Sequence, residues 1–167
     1  AKVSLTGDPS EFAAVNIGGT RTLVSAAQTA GVERFVHISS PSVAHTGESI
    51  VGDGAGPASP DHARGEYART KAAGERLALA ADADDFRVLV LRPHLMWGPG
   101  DTQLTERVID RARAGRMPVL GSGAALVDTL FVDNAVEAII AALTAVDHTH
   151  GEALVVTNGQ PRPIGEL

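Results

Sequence analysis

Between residues 34 and 93 the chain does one thing twice: a short β-prone run stops at a proline. Arg34-Phe35-Val36-His37-Ile38 runs into Ser39-Ser40-Pro41, and Phe86-Arg87-Val88-Leu89-Val90-Leu91 runs into Arg92-Pro93. Proline has no N–H to give to a sheet ladder, so each run reads as a strand that ends there. A helix is expected between them, carrying Tyr67, Lys71, Glu75 and Leu79, opened by Ser59-Pro60 and fading over Ala81 to Asp85. Strand, helix, strand in this order predicts a βαβ unit and hence a parallel sheet. The expected fold class is α/β.

In open parallel sheets, ligands bind outside the carboxyl ends of the strands, which is where Ser39 and Ser40 fall. Tyr67 and Lys71 lie four residues apart, so on a helix they share a face about one turn apart. A free phenol titrates near pH ~10, and a fixed cation beside it favours the phenolate. A tyrosine so placed is a candidate general acid and base, and a serine hydroxyl at the strand end is a candidate for holding the reacting oxygen. Tyrosine and lysine at this spacing are common on helices. The serine pair closing the preceding strand, and Tyr67 being the only tyrosine in the chain, give the pair its weight.

Elsewhere the organisation is plain. Asp8-Pro9-Ser10-Glu11 is a helix start, with Asp8 as N-cap, Pro9 at the first helical position and Glu11 placed for a capping box. That helix is expected to reach about Ala30, burying Phe12, Val15, Leu23, Val24, Ala26 and Ala27, with Gly31 as its stop. Gly18-Gly19 lowers its propensity by roughly 1 kcal/mol per glycine against alanine, which predicts close backbone packing there. Asn16, on the residues alone, reads as an exposed helix amide.

Pro41 to Pro60 is a loop long enough to serve as a functional flap. Its Gly52-Asp53-Gly54-Ala55-Gly56 is not a nucleotide fingerprint, because no strand leads in and Pro57 follows. Beyond Pro93, Trp97 to Asp101 is turn-rich. A helix is expected over Leu104 to Ala114, a second from Asp133 to about Ala145, and short strands over Met117 to Leu120, Thr129 to Val132 and Ala153 to Thr157.

Composition narrows the function classes. With 167 residues, 44% of them hydrophobic and 20% charged, one globular domain can bury a real core. The absence of cysteine rules out disulfides and thiolate chemistry and is compatible with a cytoplasmic location. A net charge of -6 and six aromatic residues argue against a nucleic-acid surface, so Arg107, Arg111, Arg113 and Arg116 read as a solvated helix face. Ala138 to Val146 is far short of the ~20 residues a membrane span needs, and a soluble chain is expected. No G-x-S-x-G elbow is present and the histidines lack zinc-ligand spacing, with His148 and His150 reading as loop residues.

The order of Val15-Asn16-Ile17-Gly18-Gly19-Thr20, Phe35 to Val43, Tyr67 to Lys71, Leu91-Arg92-Pro93-His94, Gly98-Pro99-Gly100-Asp101 and Val132-Asp133-Asn134 resembles the extended short-chain dehydrogenase/reductases of the NAD-dependent epimerase/dehydratase superfamily. The run Pro93 to Asp101 and the tail Thr157-Asn158-Gly159-Gln160-Pro161 are most similar to 3β-hydroxysteroid dehydrogenases and bacterial 2-alkyl-3-oxoalkanoate reductases. The resemblance implies a partial Rossmann-type doubly wound parallel sheet. Residues 1–100 would form the later part of a cofactor domain and residues 101–167 a small substrate-side portion with interleaved core elements. It implies NAD or NADP as cofactor, with Ser40 as catalytic serine, Tyr67 as acid/base, Lys71 as its activator and ribose ligand, and Asn16 in the proton relay. Ser39, Pro93 and His94 would line the nicotinamide end. A small hydrophobic hydroxy or keto substrate is implied, and a homodimer is compatible with the resemblance.

Two departures sharpen the reading. Sugar-nucleotide dehydratases carry Asp-Glu after the catalytic hydroxyl, where this chain has Pro41-Ser42, so dehydration is not expected. Sugar-nucleotide enzymes commonly carry Arg-Asp where this chain has Val127-Asp128, so an anion anchor is missing and an apolar substrate is favoured. The Gly-rich first turn of such cofactor domains is not in the sequence. The expectation is that the 167 residues alone neither fold stably nor bind a dinucleotide, and that roughly 70 or more residues precede them in the functional protein. A secondary-alcohol oxidoreductase is preferred, with a sugar-nucleotide epimerase and a catalytically inactive binding module as the alternatives.

Overall fold

The computed structural model describes residues 1–3, 6–47, 50, 54–102, 105–116 and 121–166. In chain order its elements are α1 (Pro9–Phe12), a π-helical stretch (Ala13–Gly18), α2 (Gly19–Thr29), β1 (Arg34–Ile38), a 3-10 turn (Pro41–Ala44), α3 (Glu66–Leu79), β2 (Arg87–Pro93), β3 (Leu95–Trp97), α4 (Thr105–Arg113), β4 (Leu126–Val127), β5 (Thr129–Phe131), α5 (Val132–Ala145), β6 (Glu152–Val156), β7 (Arg162–Pro163) and a last 3-10 turn (Ile164–Glu166). They gather in two compact units, Ala1–Arg92 with Ile139–Val155, and Pro93–Ala138 with Val156–Leu167.

The first unit is built on the expected parallel pair. β1 and β2 run in register from Arg34↔Arg87 to Ile38↔Leu91, and β6 completes a sheet of order β1-β2-β6. Alternate residues of β2 face opposite sides. Val88 and Val90 join Val24, Ala78 and Phe86 in the core, with Phe35 packed against them, while Leu89 and Leu91 are buried on the other face. Burial on both faces is what a parallel strand covered by helices requires, and each such side chain contributes about 1.5–3 kcal/mol over its exposed state. Asp147, just beyond α5, pairs with Arg34 (Nη2 to Oδ2, 2.7 Å) and Arg87 (Nη1 to Oδ1, 2.7 Å), tying that turn to the amino ends of β1 and β2.

The first helix departs from expectation in a way that matters for the site. Asp8 caps it as predicted, its Oδ1 accepting from Ser10 N at 2.8 Å, but Glu11 pairs with Lys2 Nζ and closes no capping box. The π-helical stretch then holds more residues per turn than α spacing allows, so beyond it the helix is rotated by roughly one residue. Val24 therefore points at the core and Leu23 does not. Phe12 is buried as predicted, whereas Val15 and Leu23 are 46% and 60% exposed and Ala26 is exposed. Asn16, read from the residues as exposed, is turned inward at 3% exposure. A Cβ on Gly19 would meet nothing within 4 Å, and one on Gly18 only Ala13 O at 3.8 Å, so the close packing expected there is absent. It occurs at Gly74 on α3, where a Cβ would lie 2.7 Å from Asn16 O and 3.3 Å from Thr20 Oγ1.

Other boundaries shift for local reasons. α3 opens at Glu66 and not at Pro60, because Gly65 at φ 88° is outside the helical region and interrupts the run. β2 continues through Arg92 to Pro93, and β3, β4 and β7 are strands too short for periodicity to reveal. The expected strand over Met117 to Leu120, the helix start at Leu104 and Gly52-Asp53 of the glycine-rich loop lie outside the described residues.

In the second unit, β3 and β5 pair in parallel from Leu95↔Thr129 to Trp97↔Phe131, with the two rings edge to face at 5.0 Å. β4 and β7 pair antiparallel, placing Val127 opposite Arg162. α4 buries none of its described side chains, as its arginines imply. Among the described residues no helix is long and apolar enough to cross a membrane.

Candidate active site

Small residues let α3 lie close to its neighbours. It buries Ala68, Thr70, Lys71, Ala72, Gly74, Glu75 and Ala78, and this inward stripe carries two ionisable groups among alanines, a glycine and a threonine. Lys71, 7% exposed, reaches the end of β1, where its Nζ donates to Ile38 O at 2.6 Å. Tyr67, half-buried, precedes it by one turn on the same helix.

The serines follow directly on the residue that Lys71 holds. Ser39 N donates to Leu91 O at 2.7 Å, extending the parallel ladder by one bond, and its buried Oγ has no hydrogen-bond partner among the described residues. Ser40 turns the chain: its Oγ accepts from Ser42 N at 3.3 Å and lies 2.9 Å from Ser42 Oγ, capping the 3-10 turn. The structure thus brings Lys71 against the strand end that carries both serines.

Asn16 is tied to the same helix. Its Nδ2 donates to Thr70 Oγ1 at 3.0 Å and to Lys2 O at 3.1 Å, while its Oδ1 accepts from Lys2 N at 2.8 Å. Thr70 in turn donates to Glu66 O at 2.6 Å. The amide thereby fixes the turn of α3 that carries Lys71. Pro93 and His94 belong to the second unit, at and just past the carboxyl end of β2, and His94 N donates to Val156 O at 2.9 Å. His150 lies in the connection just before β6, with Nδ1 3.0 Å from Asp82 Oδ2.

Burial lowers the Lys71 pKa from the ordinary lysine value, and the charge of Glu75 opposes that shift. Glu75, with no exposure, is held by Arg92, 1% exposed, through Nε to Oε2 at 3.0 Å and Nη2 to Oε1 at 2.5 Å. Arg92 Nη1 also donates to Ala55 O. His37, on β1, keeps a buried Nε2 without a partner among the described residues, and burial together with the Lys71 charge pushes its pKa down to about 4.

That shift has a consequence for stability. In the unfolded chain His37 takes up a proton near 6.5, but the folded protein resists it until about 4. Its contribution is complete above pH ~6.5 and is lost as pH falls toward 4, about 3 kcal/mol in all. Denaturant midpoints of the intact protein should therefore fall more steeply from pH 7 to 4 than those of His37→Leu. Equal slopes would show that His37 is not responsible.

Sequence reasoning passed over Arg92, His37 and Gly74. One signal was present: Glu75 repeats the four-residue spacing of Tyr67 and Lys71, so an acid stood on the stripe that had to be buried, and a buried acid needs a partner. Nothing local in the sequence named Arg92 as that partner.

Residues 4–157 match the sequence model of the NAD dependent epimerase/dehydratase family. The chain is 38% identical over its whole length to the 2-alkyl-3-oxoalkanoate reductase of Stenotrophomonas maltophilia, covering 52% of that protein. It is 35% identical over 89% of its length to the 3 beta-hydroxysteroid dehydrogenase/Delta 5-->4-isomerase of Mycobacterium tuberculosis, covering 41% of it. Among solved structures it is similar to MoeE5 in complex with UDP-glucose and NAD, at 30% identity and a TM-score of 0.71, covering 90% of this chain and 51% of that one. The chain spans about half the length of the curated relatives it matches.

Proposed function

Because the chain belongs to the NAD dependent epimerase/dehydratase family, we propose that the intact protein is an NAD- or NADP-dependent oxidoreductase that interconverts a secondary alcohol and a ketone on a hydrophobic substrate, steroid-like or 3-oxoalkanoate-like. The observation that carries this reading is Lys71, buried and bound to Ile38 O directly before the Ser39-Ser40 pair, one helical turn from Tyr67. The residues fit a nicotinamide nucleotide. The buried Ser39 hydroxyl lacks a partner among the described residues, and a buried ammonium sits at the same strand end, so both have hydrogen bonds to give to a ribose or carboxamide.

When bound, the nicotinamide supplies or accepts the hydride at the carbinol carbon. Every proton step falls to this chain. In the reductive direction Tyr67 gives its phenolic proton to the carbonyl oxygen, and in the oxidative direction the phenolate takes it back. Ser40 donates a hydrogen bond to the same oxygen and holds it for the transfer, which requires its hydroxyl to turn from Ser42. Lys71 stabilises the phenolate and offers hydrogen bonds to the ribose. Asn16 orders the relay through Thr70, the residue before Lys71. Ser39, Pro93 and His94 line the nicotinamide end. In this reading residues 1–100 carry the cofactor side and residues 101–167 the substrate side.

A sugar-nucleotide epimerase is the second reading, favoured by the likeness to a protein solved with UDP-glucose. Against it stands Val127 on β4, where an arginine would anchor a diphosphate. A substrate panel followed by nicotinamide absorbance decides between them. A 2-alkyl-3-oxo acid or a 3β-hydroxysteroid should be turned over with kcat/KM at least roughly 100-fold above that for UDP-glucose, the scale on which an unpaired phosphate charge is rejected. A UDP-sugar turned over as well or better would reverse the ranking.

A further inference from the structure

Glu75 plays no part in the chemistry just described, yet it is more deeply buried than Lys71 and stands one turn beyond it on the same face of α3. Both its oxygens are taken by Arg92, which enters from the end of β2. The third arm of the guanidinium holds Ala55 O, so the pair also ties the returning loop to α3, while Ser59 N binds Val43 O at 2.8 Å. A buried ion pair of this kind rarely adds stability over apolar residues of the same volume, so stability does not account for it.

The titratable and charged groups grouped with Lys71 among the described residues are Tyr67 and Glu75 on its own helix, His37 on β1, and Arg92 beyond Glu75 on β2. Glu75 is the anion among them. We propose that Glu75 is a positioning residue: its carboxylate, aligned by Arg92, holds Lys71 in the ammonium form against the carbonyl of Ile38. Burial drives Lys71 toward the neutral amine, and the charge of Glu75 opposes it. A neutral Lys71 would lose one donor and the charge that stabilises a phenolate. The use made of that charge rests on the oxidoreductase reading; the charge itself does not.

The titration of Lys71 can be followed directly, because one substitution identifies its resonance. In the intact protein carrying 13C-labelled lysine, the Lys71 Cε resonance is assigned by its loss in Lys71→Met and followed against pH. Glu75→Gln should move its midpoint to lower pH by roughly half a unit or more, with Glu75→Asp remaining near the parent. The alkaline limb of the kcat profile should move with it. If Glu75→Gln does not fold, Glu75→Gln/Arg92→Met removes both charges together and is read in the same way. A Lys71 midpoint unchanged in either folded variant overturns the proposal. A midpoint that moves while the kcat profile stays still supports the hold of Glu75 on Lys71 and instead removes Lys71 from the chemistry.

Discussion

Tyr67→Phe in the intact protein is expected to lower ketone reduction by about 10²- to 10⁴-fold, the usual cost of losing a positioned general acid. Cofactor affinity should stay near that of the parent, because the substitution removes one hydroxyl from a half-buried side chain. Lys71→Met behaves differently: it removes an ammonium that is 7% exposed and hydrogen-bonded at the strand end, so turnover and cofactor binding should weaken together. Steady-state kinetics combined with nicotinamide fluorescence titration separates the two patterns. Turnover by Tyr67→Phe within tenfold of the parent would end its assignment as proton donor.

Arg92→Met should cost about 3–5 kcal/mol of folding stability, more than most single substitutions, because Glu75 would remain as a buried carboxylate without a counter-ion. The loss should be read from denaturant midpoints at pH 7. The loop tie to Ala55 O goes with it, so protease cleavage between Pro41 and Pro60 should increase in parallel. Glu75→Leu/Arg92→Met, which removes both charges and fills the volume with apolar atoms, should recover most of the loss. A single substitution costing under about 1 kcal/mol, or a double variant no better than the single, would show that the pair is not a desolvated unit.

These two substitutions differ in how far they are visible without the fold. Tyr67 and Lys71 can be paired from spacing alone, because helical geometry guarantees that residues four apart meet. Glu75 and Arg92 are 17 residues apart on different elements, and only the packing of α3 on β2 brings them together. His37 is similar. Its position in a strand follows from the run around it, but its unpartnered Nε2 and lowered pKa arise from what lies over that face of β1.

The sequence by itself determined the βαβ unit with parallel strands over Arg34 to Ile38 and Phe86 to Leu91, the serines at the carboxyl end of the first strand and the helix bearing Tyr67 and Lys71, since all of these depend on local propensity, periodicity and the proline signals. The tertiary structure decided the rest. The π-helical stretch rotated the first helix so that Asn16 turned inward to Thr70, and of the expected pair Leu23 and Val24 only Val24 reached the core; no residue-by-residue propensity foretells one extra residue in a turn. It selected Gly74, and not Gly18-Gly19, as a point of close backbone approach. It also converted an acid on a helix and an arginine ending a strand into a buried ion pair behind Lys71. Burial is a property of the assembled layers, and the energy of a charge is set by whatever surrounds it once water has gone.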